Sequence, residues 1–378
     1  MTYQSGVALI MDPQILDKAK VTKEQLKEFE KEVPAFMNRP QKKFITCDDR
    51  DVSSKILIIS FDTEMSCGGK EAEIIQLAAE TEKGKTFSRF ILPEKKISYH
   101  ASRVNKFQVT SLGGKRILHR GGNPLNTVSQ TECLESFVNF IAACRKSHPD
   151  CEKVILTGHN SSTFDTPVLL RTLWHYSPQL ITQMKELDIH FADSLVFIRK
   201  LIQEKCEALK TEDGSYVKTN QAAVYKQLFN ADFPGHDAVE DVRALNKILF
   251  QSPLGINTCE IVSKSKTTTI ESAIKDLIYL DNSYALQQSL IGKLCISSST
   301  GIISKVLAKK LADSGISYKH LSQLFHTHGE QGLLAVLANP PTDRPSSGRG
   351  SSVSRQARGS GDPVVLNKIL SYFRGLPQ

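Results

Sequence analysis

The chain has 378 residues, of which 40% are hydrophobic and 23% charged, which is enough for one large or two ordinary globular domains. This composition excludes a collagen, a wholly disordered chain and a small scaffold held together by disulfides. Lys and Arg outnumber Asp and Glu by 48 to 40, and the formal charge of +8 is compatible with a nucleic-acid partner.

That charge is unevenly distributed along the chain. Residues 1–50 carry 9 basic and 8 acidic side chains, residues 51–263 carry 25 of each, and residues 264–378 carry 14 and 7. The positive excess therefore belongs to the C-terminal end, whereas the middle of the chain is neutral.

Membrane and redox signals are weak. No apolar run approaches the roughly 20 residues that span a bilayer, and the run at 7–11 is shorter than a signal-peptide core of about 7–15 residues. We therefore expect no membrane span and an intracellular protein of the cytoplasm or nucleus. The eight cysteines form no CxxC or CxxxC pair, which argues against structural zinc and, in a reducing compartment, against disulfides. They are predicted to be core residues and free thiols.

The first predicted elements are helical. Apolar residues recur at helical spacing from Asp12 until Pro34 ends the pattern, so residues 1–50 are predicted to be an N-terminal helical extension. Three strands follow, separated by short Gly-rich and polar turns that are typical of an antiparallel meander. The predicted strands are 55–61, 72–80 and 86–92.

Residues 93–128 are basic and are predicted to form a loop. After this loop, helical and strand patterns alternate. The predicted helices are 130–146, 165–176, 194–206, 220–229 and 239–250, and the predicted strands are 153–158 and 189–193. An antiparallel meander followed by alternating elements predicts an α/β domain over residues 51–255, with a mixed five-stranded sheet flanked by helices.

The composition changes beyond Pro253. Residues 270–338 show helical periodicities, so residues 256–338 are predicted to form a small helical module. Residues 339–363 are predicted to be a disordered basic linker. Residues 364–378 are predicted to form a short amphipathic tail helix. This tail must dock on the domain, on a protein partner or on a membrane surface, and its few basic residues make the membrane the weakest of these options.

The first candidate site segment lies at the end of the first predicted strand. Asp62 and Glu64 lie on the same side of this strand, because strand side chains alternate with period two. Two carboxylates that face one space repel each other unless a cation lies between them or one of them takes up a proton. In isolation the pair is weak evidence, because strand ends are routinely polar.

Two further segments follow later elements. Asp165 ends the run 158–165 after the strand at 153–158, and its simpler interpretation is a helix N-cap. The run 234–241 opens a helix, and His236 and Asp241 converge only if His236 lies in the turn before that helix, as Pro234-Gly235 permits. The simpler interpretation there is a polar helix start with an exposed histidine.

Together, Asp-x-Glu on a first strand, an Asp after a later strand and His-x-Ala-x-x-Asp near the end resemble the DEDDh 3′→5′ exonucleases, which have a ribonuclease H-like (DnaQ-like) fold. These motifs cover residues 55–250, about half of the chain. The runs at 159–165, 192–195 and 221–229 are similar to the three-prime repair exonuclease group. The helical C-terminal part and its fusion to this domain resemble the exonuclease-like C-terminal region of the longest promyelocytic leukaemia protein isoform, so the chain looks like a stand-alone PML-like exonuclease.

The resemblance implies a metal-dependent 3′→5′ exonuclease that releases nucleoside 5′-monophosphates from single-stranded or frayed DNA 3′ ends, with RNA as an alternative substrate. It implies His236 as general base and two Mg2+ ions, for which Mn2+ can substitute. The implied metal ligands, which are also catalytic, are Asp62, Glu64, Asp165 and Asp241. The implied substrate-binding residues are Glu64, Met65, His159, Asn160, Phe164 and His236.

General chemistry agrees with these roles. Two hard cations about 3.5–4 Å apart orient a water for in-line attack and stabilise the departing oxygen. Oxygen ligands suit Mg2+ or Mn2+ and not zinc. An imidazole with a reference pKa of about 6.5 can accept a proton near neutral pH.

The resemblance also implies a homodimer through the exonuclease domain.

Some residues depart from the family pattern. Met65-Ser66-Cys67 stand where relatives often carry a small or hydroxyl residue, and Lys106 stands where a His-Gly or Asn-Gly turn is common. These changes bear on substrate fit rather than on metal binding.

The basic segment 93–128 either guides a single strand by phosphate contacts or is simply a solvated loop. The alternative function is a catalytically weak nucleic-acid-binding or scaffold protein of the PML-like type, with an unknown protein partner for the C-terminal module or tail.

Overall fold

A computed structural model of the chain describes residues 14–35, 39–45, 47, 55–295, 301–342 and 357–376. The described residues form two compact units, one spanning residues 41–277 and the other built from residues 1–40 and 278–378. The units divide at residues 40 and 277, whereas composition placed boundaries at 50 and 255, which stay predictions. The apolar run at 7–11 and most of the expected linker, residues 343–356, lie outside the described residues.

The larger unit is built on a mixed sheet in the order β10–β9–β8–β1–β2–β3–β7, beside a smaller sheet in the order β4–β5–β6. Strand β1 pairs antiparallel with β2 and parallel with β8. The strands are β1 Ile56–Met65, β2 Ile74–Thr81, β3 Thr86–Ile91, β4 Phe107–Leu112, β5 Lys115–Arg120, β6 Asn123–Pro124, β7 Thr127–Val128, β8 Lys153–Gly158, β9 Ile189–Asp193 and β10 Thr268–Thr269.

The predicted mixed sheet flanked by helices is confirmed, with seven strands instead of five. The two additional strands, β7 and β10, have two residues each and lie at the two edges of the sheet. Two residues are too few to show the period-two pattern on which strand prediction rests.

The side chains of β1 alternate between the two faces of the sheet. Ile59 and Phe61 pack in the core on one face, whereas Ile58 packs in the core on the other. Helices of the larger unit cover both faces and bury these apolar residues. These helices are Tyr99–Asn105, Gln130–Lys146, Asp165–Tyr176, Gln179–Glu186, Ser194–Gln203, Gln221–Phe229, Ala238–Asn246, Thr258–Lys264 and the first part of Ile270–Leu294.

The prediction of a loop at 93–128 is wrong, because this segment contains the helix Tyr99–Asn105 and the β4–β6 sheet. Gly113 and Gly114 form the turn between β4 and β5 with φ values of 57° and 79°. Positive φ at both central residues is what a two-residue hairpin of type I′ requires. The hairpin has its own small core, in which Phe107 and Leu118 are buried with Ile75 of β2.

The prediction of free thiols is wrong for two cysteines. Cys47, which precedes β1, forms a disulfide with Cys259 in the helix Thr258–Lys264. The two are 212 residues apart in sequence, so no spacing motif could reveal them. The segment before β1 also contacts this helix through the Cys47 N–H, which donates to the Ser263 hydroxyl at 3.0 Å. The other six cysteines are free.

The smaller unit is helical and has its own apolar core. Its tail helix buries Leu366, Ile369, Leu370 and Phe373 in that core, so the tail docks within the chain. None of the described helices is long and apolar enough to cross a membrane. The helices of this unit are Ile15–Lys18, Lys23–Phe29, the remainder of Ile270–Leu294, Lys305–Asp313, Tyr318–Ala338 and Pro363–Arg374.

The described end of the expected disordered linker is packed. Arg358 is 2% exposed, and its guanidinium donates to Glu30 at 3.1 Å. The Gly359 N–H donates to the Leu337 carbonyl at 2.9 Å. A buried guanidinium needs such partners because an unpaired buried charge is costly. Composition could not reveal this arrangement, since the charged partner, Glu30, comes from the other end of the chain.

Candidate active site

Three carboxylates converge where β1 ends. One oxygen from each of Asp62, Glu64 and Asp241 lies within 4.8 Å of the others. Asp62 and Glu64 share the face of β1 on which Ser60 donates to Asn246 at 2.6 Å, and Asn246 ends the helix Ala238–Asn246. Because this helix packs on that face, its first turn brings Asp241 to the pair.

Asp165 lies beside this trio and is held by β1 itself. Its Oδ1 accepts hydrogen bonds from the N–H of Thr63 at 3.0 Å and from the Thr63 hydroxyl at 2.6 Å. The helix that begins at Asp165 has Phe164 at its N-cap position and no side-chain cap bond. The N-cap interpretation of Asp165 is therefore wrong, and the buried carboxylate bonds to β1 instead.

The four carboxyl groups have raised pKa values. Burial, followed by the charges of Asp165, Asp241 and Glu64, raises the pKa of Asp62 well above its usual range. Burial and the charge of Asp241 raise the pKa of Glu64 to about 7, against the opposing effects of an Asn105 hydrogen bond and the Arg120 charge.

Burial also raises the pKa values of the other two carboxyl groups. The pKa of Asp165 is raised to about 6, although the hydrogen bonds from Thr63 oppose this effect. The pKa of Asp241 is raised to about 6, although the backbone N–H of His236 opposes it. Near neutral pH such a cluster must hold protons or a cation.

The donor set of the trio consists of carboxylate oxygens. Hard divalent cations such as Mg2+ and Mn2+ prefer oxygen ligands, whereas zinc sites are usually built from His and Cys. The convergence of three carboxylates within 4.8 Å therefore fits a hard divalent cation. Asp165 lies outside this trio, and its Oδ1 is bonded to Thr63.

His236 lies in the turn before the helix Ala238–Asn246, as convergence with Asp241 requires. Its backbone has φ 68°, in the left-handed region. Its N–H donates to Asp241 Oδ2 at 2.8 Å, and its carbonyl accepts from Arg120 at 2.9 Å. The side chain is exposed. His236 is thus joined to the trio through its backbone, and its ring is accessible to solvent.

Two of the predicted substrate-binding residues shape the loop after β8 instead of joining the carboxylates. The ring nitrogens of His159 lie 2.9 Å from the Ser194 hydroxyl and 2.9 Å from the Thr219 carbonyl. Burial lowers the pKa of His159. Asn160 has φ 59°, and its N–H donates to Asp193 at 2.9 Å.

Two other predicted residues directly adjoin the carboxylates in sequence. Phe164, which precedes Asp165, has 45% of its surface exposed. Met65, which follows Glu64, is half-buried, and its carbonyl accepts from Asn105 Nδ2 at 3.2 Å. These residues leave an exposed aromatic face and a fixed backbone at the edge of the site.

Sequence reasoning missed the residues that hold the site in place. Asn105 and Arg120 come from the segment predicted to be a loop, and Gln76 comes from β2. Among these supporting residues, only Asp193 had a signal in the sequence, because it is the strand-end Asp of the run at 192–195. It accepts hydrogen bonds from the backbone N–H groups of Asn160 and Leu195.

Comparison with protein families finds the Exuperantia RNase H-like domain over residues 57–220. This range is less than half of the chain; it includes Asp62, Glu64 and Asp165 and ends before His236 and Asp241. The larger unit is thus a mixed α/β domain of the ribonuclease H-like class, as predicted.

Among solved structures, one of exonuclease I is 13% identical, with a TM-score of 0.40, over 63% of this chain and 46% of that chain. Escherichia coli exonuclease I in complex with a dT13 oligonucleotide is 17% identical, with a TM-score of 0.35, over 51% and 40%. A moderately thermophilic exonuclease I from Methylocaldum szegediense is 12% identical, with a TM-score of 0.38, over 67% and 50%. The chain thus matches half or less of the length of these structures. Comparison with curated proteins gives no match.

Proposed function

We propose that the chain is a nuclease, and more specifically a metal-dependent 3′→5′ exonuclease that releases nucleoside 5′-monophosphates from single-stranded or frayed DNA. The observation that carries this proposal is the convergence of Asp62, Glu64 and Asp241 at the end of β1, with Asp165 beside them. A cluster of carboxylates with raised pKa values is costly to the fold, and such clusters are concentrated at functional sites.

In this proposal the four carboxylates bind two Mg2+ ions, or Mn2+ in their place. When bound, the ions stabilise the attacking and departing oxygens of an in-line displacement. Asp62, Glu64 and Asp241 hold their oxygens in one space, and Thr63 fixes the orientation of Asp165. His236 accepts the proton of the attacking water at an imidazole nitrogen, for which its exposed ring is accessible.

The terminal nucleotide in this proposal lies between the backbone at Glu64-Met65 and the ring of Phe164. An exposed aromatic ring beside a nucleic-acid site suits base stacking, which is tolerant of sequence. His159 and Asn160 contribute by shaping the loop that carries Phe164, because their polar groups bond to Ser194, Thr219 and Asp193. DNA is the proposed substrate, and RNA is the alternative. We also propose that the chain is similar to the PML-like group and that it forms a homodimer.

The test is release of nucleotides from a 3′-labelled oligonucleotide with Mg2+. Wild type, Asp62→Asn and His236→Ala are compared with Asp213→Asn, which changes an exposed carboxylate in the 211–215 turn. We expect activity in wild type and the control and a loss of at least about 100-fold in the two site variants. An Asp62→Asn variant as active as wild type, or a wild type with no metal-dependent release, would contradict the proposal. A 5′-labelled strand reports direction, and ribose strands report the sugar preference.

A second candidate function is nucleic-acid binding with little catalysis. It is favoured by the positive charge of residues 264–378, which lies outside the carboxylate site. Salt-dependent binding of a labelled single strand by Asp62→Asn, with no turnover by wild type, would support this function over the enzyme.

A further inference from the structure

We propose that Arg120 is a positioning residue that holds the His236 loop, residues 234–237, next to the carboxylate trio. This inference rests on the proposed function, since it assigns a role in the same reaction. Arg120 is the last residue of β5, in the small sheet, and it is 116 positions before His236 in sequence.

The guanidinium of Arg120 makes several contacts at once. It donates to the His236 carbonyl at 2.9 Å, forms an ion pair with the Asp237 carboxylate, and donates to the Asn105 carbonyl at 3.3 Å. Its central carbon lies 5.4 Å from the centre of the Phe107 ring. With 27% of its side chain exposed, the group is largely withdrawn from water. A planar guanidinium with five N–H donors can serve these partners together, which a lysine ammonium cannot do with the same geometry.

These contacts act on a backbone that needs support. A non-glycine residue with positive φ is uncommon and persists where its surroundings hold it. His236 has φ 68°, and both of its backbone polar groups are bonded: the N–H to Asp241 and the carbonyl to Arg120. Arg120 therefore supplies one of the two bonds that fix the backbone of the proposed general base.

The loop is also held from the central sheet. Gln76 of β2 is buried, its Nε2 donates to Asp237 Oδ1 at 3.2 Å, and its Oε1 accepts from the Ala238 N–H at 3.2 Å. Gln76 thus fixes Asp237 from one side and Arg120 fixes it from the other. Two sheets converge on the residue after His236.

Arg120 also connects this loop to the other side of the site. Asn105, whose carbonyl accepts from Arg120, donates through its side chain to the Met65 carbonyl at 3.2 Å. One chain of hydrogen bonds therefore runs from the residue after Glu64 to His236. Such a chain fixes the separation of the proposed nucleotide-binding backbone and the proposed base.

The competing explanation is that Arg120 is one more basic residue of a phosphate-binding hairpin. Arg116 provides a matched control, because it lies on the same strand and its guanidinium donates to the Pro93 carbonyl at 2.7 Å. A phosphate contact would change KM, whereas a misplaced base lowers kcat, because it acts in the chemical step.

The first measurement is hydrogen–deuterium exchange of the metal-free protein, which requires no activity. Arg120→Gln is expected to accelerate exchange in peptides covering 234–241, with Arg116→Gln equal to wild type. Arg120→Lys, which keeps the charge and the bulk, is expected to be intermediate and guards against misfolding of the first variant. Unchanged exchange of these peptides in Arg120→Gln would overturn the proposal.

The second measurement is steady-state kinetics on the 3′-labelled strand. Arg120→Gln is expected to lower kcat by about 10- to 100-fold with KM within about 2-fold, because small misplacements of a catalytic group have effects of that size. In the His236→Ala background, Arg120→Gln should cause little further loss of kcat. An equal kcat loss in Arg116→Gln, or a fully additive double variant, would overturn the proposal. If wild type itself is inactive, the proposed function fails, and the exchange result alone still decides whether Arg120 holds the loop.

Discussion

Thr63 donates two hydrogen bonds to the same oxygen of Asp165, one from its backbone N–H at 3.0 Å and one from its hydroxyl at 2.6 Å. Thr63 lies between Asp62 and Glu64, so one strand both supplies two carboxylates and orients a third. The residue between the two acids is therefore constrained by its own contacts to the site.

Replacing Thr63 by Val should weaken the site without removing a carboxylate. Thr63→Val keeps the side-chain shape but removes one of the two bonds, and hydrogen bonds to charged groups are worth about 1.5–3 kcal/mol. We expect the affinity for Mn2+, measured by calorimetry, to fall by about 10-fold. Thr63→Ser keeps the hydroxyl and should retain most of the affinity. Equal affinities for wild type and Thr63→Val would show that this hydroxyl does not orient Asp165.

The raised carboxyl pKa values predict how stability depends on pH. The pKa values of Glu64, Asp165 and Asp241 are about 7, 6 and 6 in the folded protein and about 4 when unfolded, so between pH 4 and 7 the folded state binds more protons. Stability of the metal-free protein therefore falls as pH rises through this range. A bound cation replaces the protons and offsets this loss.

Melting curves with EDTA or with Mg2+ at pH 5.5 and pH 8 test this sign. We expect the Mg2+-induced rise in Tm to be larger at pH 8, because the carboxyl groups are then deprotonated and can bind the ion. A ligand at 100 times its Kd stabilises by about 2.7 kcal/mol, which raises Tm by roughly 5–10 °C in a domain of this size. Asp62→Asn should raise the metal-free Tm at pH 8 and reduce the Mg2+ effect. A larger Mg2+ effect at pH 5.5 would contradict the assignment.

Phe164 should contribute to substrate binding and little to folding. Its side chain is 45% exposed, and stacking of a base on an aromatic ring is worth about 1–3 kcal/mol. Phe164→Ala is expected to raise KM by about 5- to 100-fold with Tm nearly unchanged. Trp174 is an exposed aromatic residue near the other end of the helix that follows Phe164, so Trp174→Ala is the control and should leave KM unchanged. A similar KM for wild type and Phe164→Ala would place the terminal base elsewhere.

The tail helix should contribute to the stability of the smaller unit. Leu370 is fully buried in its core, and replacing a buried leucine by alanine costs about 2–5 kcal/mol. Val364, at the exposed start of the same helix, provides the control, and Val364→Ala should change the free energy of unfolding by less than about 0.5 kcal/mol. Chemical denaturation distinguishes the two. Equal stability of Leu370→Ala and wild type would exclude docking of the tail in solution.

The parts of the site that could be predicted from sequence are those with a local signal. The common face of Asp62 and Glu64 follows from the strand period, and the place of His236 follows from Pro234-Gly235 before a helix. The supporting contacts carry no such signal. Arg120 and His236 are 116 positions apart, and nothing in a basic segment marks which of its arginines meets a distant carbonyl.

The same limit explains the other differences. The disulfide between Cys47 and Cys259 and the buried Arg358 with its partner Glu30 depend on segments far apart in sequence. Composition favoured a flexible linker around Arg358, because it measures the supply of apolar side chains and not the partners available to a charge. The disulfide and the packing of Arg358 therefore depend on tertiary contacts, which local sequence patterns do not report.

The alternation along β1 also limits which length changes the chain can tolerate. Inserting or deleting one residue upstream within this strand would turn Asp62 and Glu64 toward the opposite core and Thr63 toward Asp241. A two-residue change would restore the faces but displace the acids by roughly 7 Å along the strand, beyond the reach of Asp241. The number of residues in β1 before Asp62 is therefore fixed by the site as well as by the burial of Ile59 and Phe61 in the core.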